Sequence, residues 1–182
     1  MEHKTNRISL KDGSACTIRA VRSTDAAALV TLLRETAGES RFLLREPEEI
    51  TMTEAEEEVF LAGRLSDERS LMLVGEVAGK VVGLCSLVPV APFARYAHRC
   101  EVSVVLRRAY WGQGCGTALM EALLAAAKAV GYEQVHLDVV ADNTAAVGLY
   151  TKLGFTSCGT KPRAMKYKDG SYADEISMVK ML

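Results

Sequence analysis

The stretch "EVSVVLRRAYWGQGCGTALMEALLAAAKAVGYEQVHLDVV", residues 101–140, decides the fold. An apolar run, "EVSVVL", leads into "WGQGCG" (residues 111–116), where glycine takes every second position at Gly112, Gly114 and Gly116. Then comes an alanine-rich pattern with Leu119, Leu123, Leu124, Ala127 and Val130 at helical spacing, and Glu121 and Lys128 on the opposite face. A strand from about Cys100 to Leu106, a helix from Gly114 to about Val130 and a strand from Gln134 to Val140 make a βαβ unit, whose crossover joins parallel strands. Between the first strand and the helix, residues without a Cβ let the chain take positive φ and approach an anion closely. The head of the helix supplies main-chain N–H groups without intrahelical partners at the positive end of its dipole.

Outward from this unit the patterning alternates between strands and helices. "NRISLKDGSACTIRAV" predicts two strands around a turn at Gly13, the second ending near Val21. "STDAAALVTLLRETAG" predicts a helix capped among Ser23, Thr24 and Asp25, with an apolar face through Leu29, Val30, Leu32 and Leu33 and a stop at Gly38. Thr53, with Glu56 three residues on, has capping-box spacing and opens a second helix. "SLMLVGEVAGKVVGLCSLVPV" predicts two strands about the turn at Ala78, Gly79 and Lys80, and "HRCEVSVVL" a third. After the βαβ unit a shorter helix runs from about Thr144 to Leu153 and stops at Gly154; an apolar entry at Phe155, a basic stretch "KPRAMKYKDG" and a last strand through "ISMVKML" complete the chain.

The 182 residues suit a single domain, residues 1–182, with 49% hydrophobic and 25% charged side chains. A formal net charge of −1 and a pI near 6.3 give no basic field for a polyanion, which points away from nucleic acid and toward a small-molecule or peptide partner. No apolar run approaches the length that spans a bilayer and the first residues lack a signal-peptide core, so no membrane partner and a cytoplasmic location are expected. Cys16, Cys85, Cys100, Cys115 and Cys158 are scattered without a C-x-x-C pair, and His3, His98 and His136 lie far apart, so neither a disulfide framework nor a metal site is expected.

Two phosphate-binding patterns fail on the glycine turn. No Lys-Ser or Lys-Thr follows it, which excludes a P-loop, and G-x-G-x-x-G fits neither register, since Thr117 and Leu119 fall where the last glycine should stand. A plain reading remains, in which the glycines only permit tight packing. With its surroundings, however, the stretch resembles the acetyl-coenzyme A-binding half of the GNAT superfamily of N-acetyltransferases. The likeness is carried by the strand, by the turn fitting [QR]-x-x-G-x-[GA] over residues 111–116, by "VHLDVVADN", and by Asn143, Ala146, Leu149, Tyr150, Gly154 and Phe155 in "N-x-x-A…LY-x-x-x-GF". It departs at Trp111, where the family usually has Arg or Gln.

The resemblance implies an α/β (by some schemes α+β) fold with a mixed, mostly antiparallel central sheet flanked by helices, and acetyl-CoA as co-substrate without a metal. It implies acetyl transfer to a primary amine of an amino acid, a small amine or a peptide N-terminus. Alternatives are another acyl donor, or a non-catalytic CoA-binding regulator. The turn formed by Trp111, Gly112, Gln113, Gly114, Cys115, Gly116 and Thr117 would hold the pyrophosphate, and the backbones of Val104 and Leu106 the pantetheine arm, with the oxyanion near the Val104 N–H. Tyr150 would be the general acid, against a packing role that helical position alone favours. Asn143 would hold the pantetheine amide, or serve only as a helix cap. Glu101 is the candidate base, acting through water, or an ordinary strand carboxylate. Arg107 and Arg108 would meet nucleotide phosphates, or be a solvated basic turn. Cys115, at a helix head that lowers thiol pKa, suggests a nucleophile, although direct transfer needs no acyl-enzyme. The acidic run from Glu46 to Glu58 would draw a cationic amine, or be a solvated helix face. Residues 39–53 and 161–174 are expected to wall the acceptor pocket. Whether two copies form a homodimer stays open.

Overall fold

The computed structural model describes residues 4–182, so His3 lies outside the described residues. Eight strands form one sheet in the order β1-β2-β3-β4-β5-β6-β8-β7. In chain order the elements are β1 (Asn6–Ser9), β2 (Ala15–Ala20), α1 (Ala26–Glu39), α2 (Glu54–Leu65), β3 (Leu71–Val77), β4 (Lys80–Pro89), β5 (Arg99–Leu106), α3 (Cys115–Val130), β6 (Gln134–Val140), α4 (Thr144–Lys152), β7 (Thr156–Lys166) and β8 (Tyr172–Met181). Only β5 and β6 pair in parallel; every other neighbouring pair is antiparallel. The mixed, mostly antiparallel sheet and its βαβ unit are therefore as expected.

Helices cover both faces. On one, Leu119, Met120, Leu123 and Ala127 of α3 are fully buried against Leu73, Val82, Cys85, Leu87, Cys100 and Val102 of the sheet, and Tyr150 and Phe155 join the same core. On the other, Leu29 and Leu32 of α1 and Leu61 of α2 pack on Met72, Val74, Val81 and Leu84. Burying a Leu or Met side chain stabilises by about 1.5–3 kcal/mol, so these two layers fix α1 and α3 on opposite sides of β4.

Local signals set the element ends. The Thr53 hydroxyl accepts from the Glu56 N–H at 3.3 Å while the Glu56 carboxylate accepts from the Thr53 N–H at 2.8 Å, the reciprocal box its spacing predicts. Asp25 accepts from the Arg22 N–H and takes two hydrogen bonds from the buried Arg19 guanidinium, 2.8 and 2.9 Å. Gly38 does not stop α1, which runs to Glu39 because nothing at Gly38 requires a left-handed turn. A larger correction concerns the basic stretch: residues 161–166 are strand, the far half of β7, not connection. Both faces of that edge strand are largely exposed, so no apolar alternation marked it.

Candidate active site

Strands β5 and β6 pair only at Arg99 with Gln134, Cys100 with Val135 and Glu101 with His136. Past that point they part: β5 continues along β4 to Leu106, and β6 continues along β8 to Val140. The Arg107 N–H donates to the Val82 carbonyl at 2.9 Å, which sets the phase of the β4–β5 ladder. Since bonding alternates along an antiparallel pair, the main-chain groups of Val104 and Leu106, beyond the last β5–β6 bridge, point away from β4, into the gap. A cavity of about 1000 Å³ opens there, bordered by Val104, Leu106, Trp111, Gly112, Thr117 and Tyr150 among others.

The head of α3 forms one end of this cavity. Gly112 and Gly114 have φ of 71° and 99°, and a Cβ on either would project into open space. The main-chain N–H groups of Gly112, Gly114, Cys115, Gly116 and Thr117 find no acceptor among the described residues. Gly112, Gly114, Gly116 and Thr117 line the cavity. This is an array of donors at the positive end of a four-turn helix, open to the space an anion would fill. The indole N–H of Trp111 donates to the Leu106 carbonyl at 2.8 Å, so the residue that departs from the family turn ties that turn to the end of β5. Its ring stays 37% exposed at the cavity. Leu106 keeps its N–H for a strand-like partner, but its carbonyl is taken.

Tyr150 comes to the gap from the α3 side. It is 7% exposed and packs edge-on against Phe155, ring centroids 5.9 Å apart. Its hydroxyl has no hydrogen-bond partner among the described residues, and burial pushes the phenol up to about 12. It is a neutral donor awaiting an acceptor. Glu101 approaches from the other face, since it alternates with the buried Cys100 and Val102. Its carboxylate borders both the main cavity and a smaller polar chamber lined by Arg99, His136, Asp138 and Lys161. His136 there accepts from Arg99 Nε at 3.1 Å. Asn143 caps α4, its Oδ1 accepting from the Ala146 N–H at 3.2 Å, and it also lines the cavity. The amide nitrogen has no partner among the described residues, so capping and a ligand contact are compatible.

Four readings that the sequence left with alternatives meet contacts here. Cys115 is fully buried, with Sγ 3.7 Å from that of Cys16; that contact and burial raise its thiol pKa far above the ordinary value, the reverse of a helix-head nucleophile. Neither Cys115 nor Gln113 lines the cavity, and what each offers at the turn is main chain. Arg107 is buried, ion-paired with Glu35 of α1, and donates to the Val81 carbonyl at 3.2 Å, so it braces the fold. Arg108 does not border the cavity either; its N–H donates to Glu39 at 2.6 Å. The acidic run turns elsewhere too: Glu46 and Glu48 pair with Lys168, Glu49 and Glu56 cap helix starts, and Glu57 is buried. The carboxylates at the cavity are Glu101, Glu121, Asp138 and Glu175.

The other end of the cavity is walled by a strap, residues 40–53, contributing Ser40, Phe42, Leu43, Leu44, Arg45 and Ile50. Arg34 of α1 anchors it through the carbonyls of Ile50 (2.9 Å) and Met52 (3.2 Å). The β7–β8 hairpin meets it from across the sheet, with Arg41 over the Tyr167 ring at 4.0 Å and Lys168 against Glu46 and Glu48. From residues 161–174 only Met165 borders the cavity. Sequence reasoning passed over Lys11, whose N–H donates to the Gln113 carbonyl at 3.1 Å and which lines the cavity beside the glycine turn. No local pattern marked it, because the contact spans a hundred residues of sequence.

Known proteins resemble this architecture closely. The sequence profile of the acetyltransferase (GNAT) family matches residues 30–155. The L-methionine sulfoximine/L-methionine sulfone acetyltransferase of Pseudomonas aeruginosa is 31% identical over 93 residues, 51% of this chain and 54% of that protein. The match thus spans about half the length of that relative. The phosphinothricin N-acetyltransferase of Alcaligenes faecalis is 28% identical over 171 residues, covering 92% of this chain and 83% of that one. A GNAT-family acetyltransferase from Streptococcus pneumoniae superposes with a TM-score of 0.87 at 30% identity, over 92% of this chain and 99% of that one. Among the described residues no helix is long and apolar enough to cross a membrane, and no group of three His, Cys, Asp or Glu gathers to hold a metal ion. A βαβ unit whose strands part above an unpaired helix head, in a chain matched from residue 30 to 155 by the family profile, places the protein in the GNAT family of acetyltransferases.

Proposed function

We propose that the protein transfers an acetyl group from acetyl-CoA directly to a primary amine of an amino acid, a small amine or a peptide N-terminus. The observation that carries this reading is the set of unpaired N–H groups of Gly112, Gly114, Cys115, Gly116 and Thr117, continuous through one cavity with the free edge of β5 and the unpartnered hydroxyl of Tyr150. An apolar-walled, Gly-lined donor array of this kind fits a diphosphate with an extended arm. When bound, acetyl-CoA supplies a thioester carbonyl and a thiolate leaving group. The relatives named for acetylating amino-acid-like amines support a small acceptor of that class.

Each residue then has one task. The unpaired N–H groups of the turn hold phosphate oxygens, and the N–H of Leu106 with the carbonyl of Val104 hold the arm as an added strand would. An alkyl ammonium with pKa near 10 is only about one part in a thousand neutral at pH 7, a cost of roughly 4 kcal/mol that Glu101 offsets by accepting the proton through water. The Val104 N–H, free of β4, meets the oxyanion. Tyr150 Oη would donate to the departing thiolate, and the phenolate left behind would regain its proton from the attacking nitrogen as it becomes the neutral amide, or from solvent, before the next turnover.

The test is thiol release from acetyl-CoA across a panel of amino acids, small amines and peptides, with identification of the acetylated product. Release that depends on one amine class supports the reading. Tight acetyl-CoA binding without release on any acceptor would leave a CoA-binding regulator instead.

A further inference from the structure

Coenzyme A carries a pyrophosphate and a 3′-phosphate, the latter contributing about −1.5 to −2 charges at neutral pH like other phosphate monoesters. N–H dipoles alone seldom balance so much charge, and cations beside the cradle are expected. Of the two arginines nearest in sequence, Arg107 is buried against Glu35, and Arg108 does not line the cavity, its guanidinium carbon lying 5.9 Å from the Trp111 ring. The cations that do line the cavity are Lys11, Arg45 and Lys152. Arg45 belongs to the strap at the acceptor end, and Lys152 to the last turn of α4. Lys11 alone among these three is fastened to the glycine turn itself.

That fastening is built into the fold. Lys11 sits in the turn joining β1 to β2, where the Leu10 N–H donates to the Ser14 carbonyl at 2.8 Å and Gly13 takes a φ of 86°. The Lys11 N–H donates to the Gln113 carbonyl at 3.1 Å, so the hairpin and the glycine turn are held as one edge of the cavity. The neighbouring carboxylate of Asp12 is turned back on its own loop, accepting from the Ser14 N–H at 2.8 Å and the Ser14 hydroxyl at 2.7 Å. The Lys11 ammonium is exposed and has no ion-pair or hydrogen-bond partner among the described residues. Lys11, with a long side chain and a free charge, therefore lines the same cavity as Trp111, Gly112 and Gly114.

Resting on the acetyl-CoA reading, we infer that Lys11 is the phosphate-reading residue of the donor site, selecting acyl carriers that bear the nucleotide phosphates over the bare pantetheine thiol. Its main chain positions the turn and its ammonium meets phosphate, so removing the side chain leaves the hydrogen bond to Gln113 in place.

The test is calorimetric and needs no turnover. Titrations of wild type, Lys11→Ala and Lys11→Arg with CoA, 3′-dephospho-CoA and pantetheine, each at low and moderate salt, separate the contributions. Lys11→Ala should weaken CoA roughly tenfold, as expected for one lost charge-assisted contact, while pantetheine affinity stays unchanged and the salt dependence for CoA becomes shallower. Lys11→Arg should keep CoA within about threefold of wild type, because charge and reach are retained. If dephospho-CoA is insensitive to the substitution, Lys11 reads the 3′-phosphate; if it weakens in step with CoA, Lys11 reads the pyrophosphate. Equal CoA affinity in wild type and Lys11→Ala, or an equal loss for pantetheine, overturns the assignment. A wild type that binds none of the three overturns the acetyl-CoA reading itself.

Discussion

Gly114 and Leu43 border the same cavity, yet they are held there by different kinds of contact. Around Gly114 the wall is main chain: positive φ, free N–H groups and the head of α3, set by residues adjacent in sequence. Around Leu43 it is a side-chain wall on an irregular strap, anchored by Arg34 from α1 and touched by Tyr167 and Lys168 of the β7–β8 hairpin, far away in the chain. Backbone walls change little when side chains are substituted, whereas side-chain walls change with each one. On the proposed reading the glycine-turn end would thus be the fixed, donor half of the site, and the strap end the half where acceptor choice would be set.

Tyr150 lies between the two ends and should show the largest effect. Tyr150→Phe removes the buried proton donor that α4 brings to the gap, and turnover should fall by about 10²–10⁴-fold, the usual worth of a positioned acid, with CoA affinity nearly intact by calorimetry. Unchanged turnover would remove Tyr150 from the mechanism. Burial favours the neutral, donating phenol, and that form is lost only as pH rises through about 12. Rate profiles should therefore show no decline from Tyr150 in any practical pH range, and a tyrosine-dependent fall near neutral pH would contradict the buried geometry.

Next is the backbone end itself. Gly114→Val places a β-branched side chain at a φ of 99°, a strain of about 1–3 kcal/mol, and sends its methyls into the cradle space. CoA affinity should drop at least about tenfold while turnover at saturating donor stays within about twofold. A mutant that instead loses turnover at unchanged affinity would blur the division between the two ends.

The smallest effect is expected at the strap. Lys168 is more than half exposed, as is Glu48, and exposed ion pairs contribute about 0–1 kcal/mol. Lys168→Ala should raise the acceptor KM by no more than about fivefold and leave CoA affinity untouched, and moderate salt should mimic it in the wild type. A change in CoA affinity would show that the strap reaches the donor end after all.

Much of this architecture was readable in the sequence wherever the cause was near in the chain. Thr53 and Glu56 predicted a helix start because a capping box is closed by residues three apart. The glycine turn and α3 were legible because their N–H groups and φ values depend on neighbours within one helical turn. Tyr150 was legible only through its likeness to a family pattern, since helical position alone favours packing. The strand character of residues 161–166 was hidden, since an edge strand exposed on both faces carries no apolar alternation.

By itself, then, the sequence determined the βαβ unit, the free N–H groups at the head of α3 and the order of strands and helices as far as α4, since hydrogen bonding and hydrophobic period act over a few residues. Tertiary structure alone decided which charges are spent and which are free: Arg107 on Glu35, Glu46 and Glu48 on Lys168, Cys115 against Cys16, and Lys11 left open beside the turn. Long side chains pair with whatever packing brings within a few ångströms, and that is a property of the folded sheet, not of any stretch of chain.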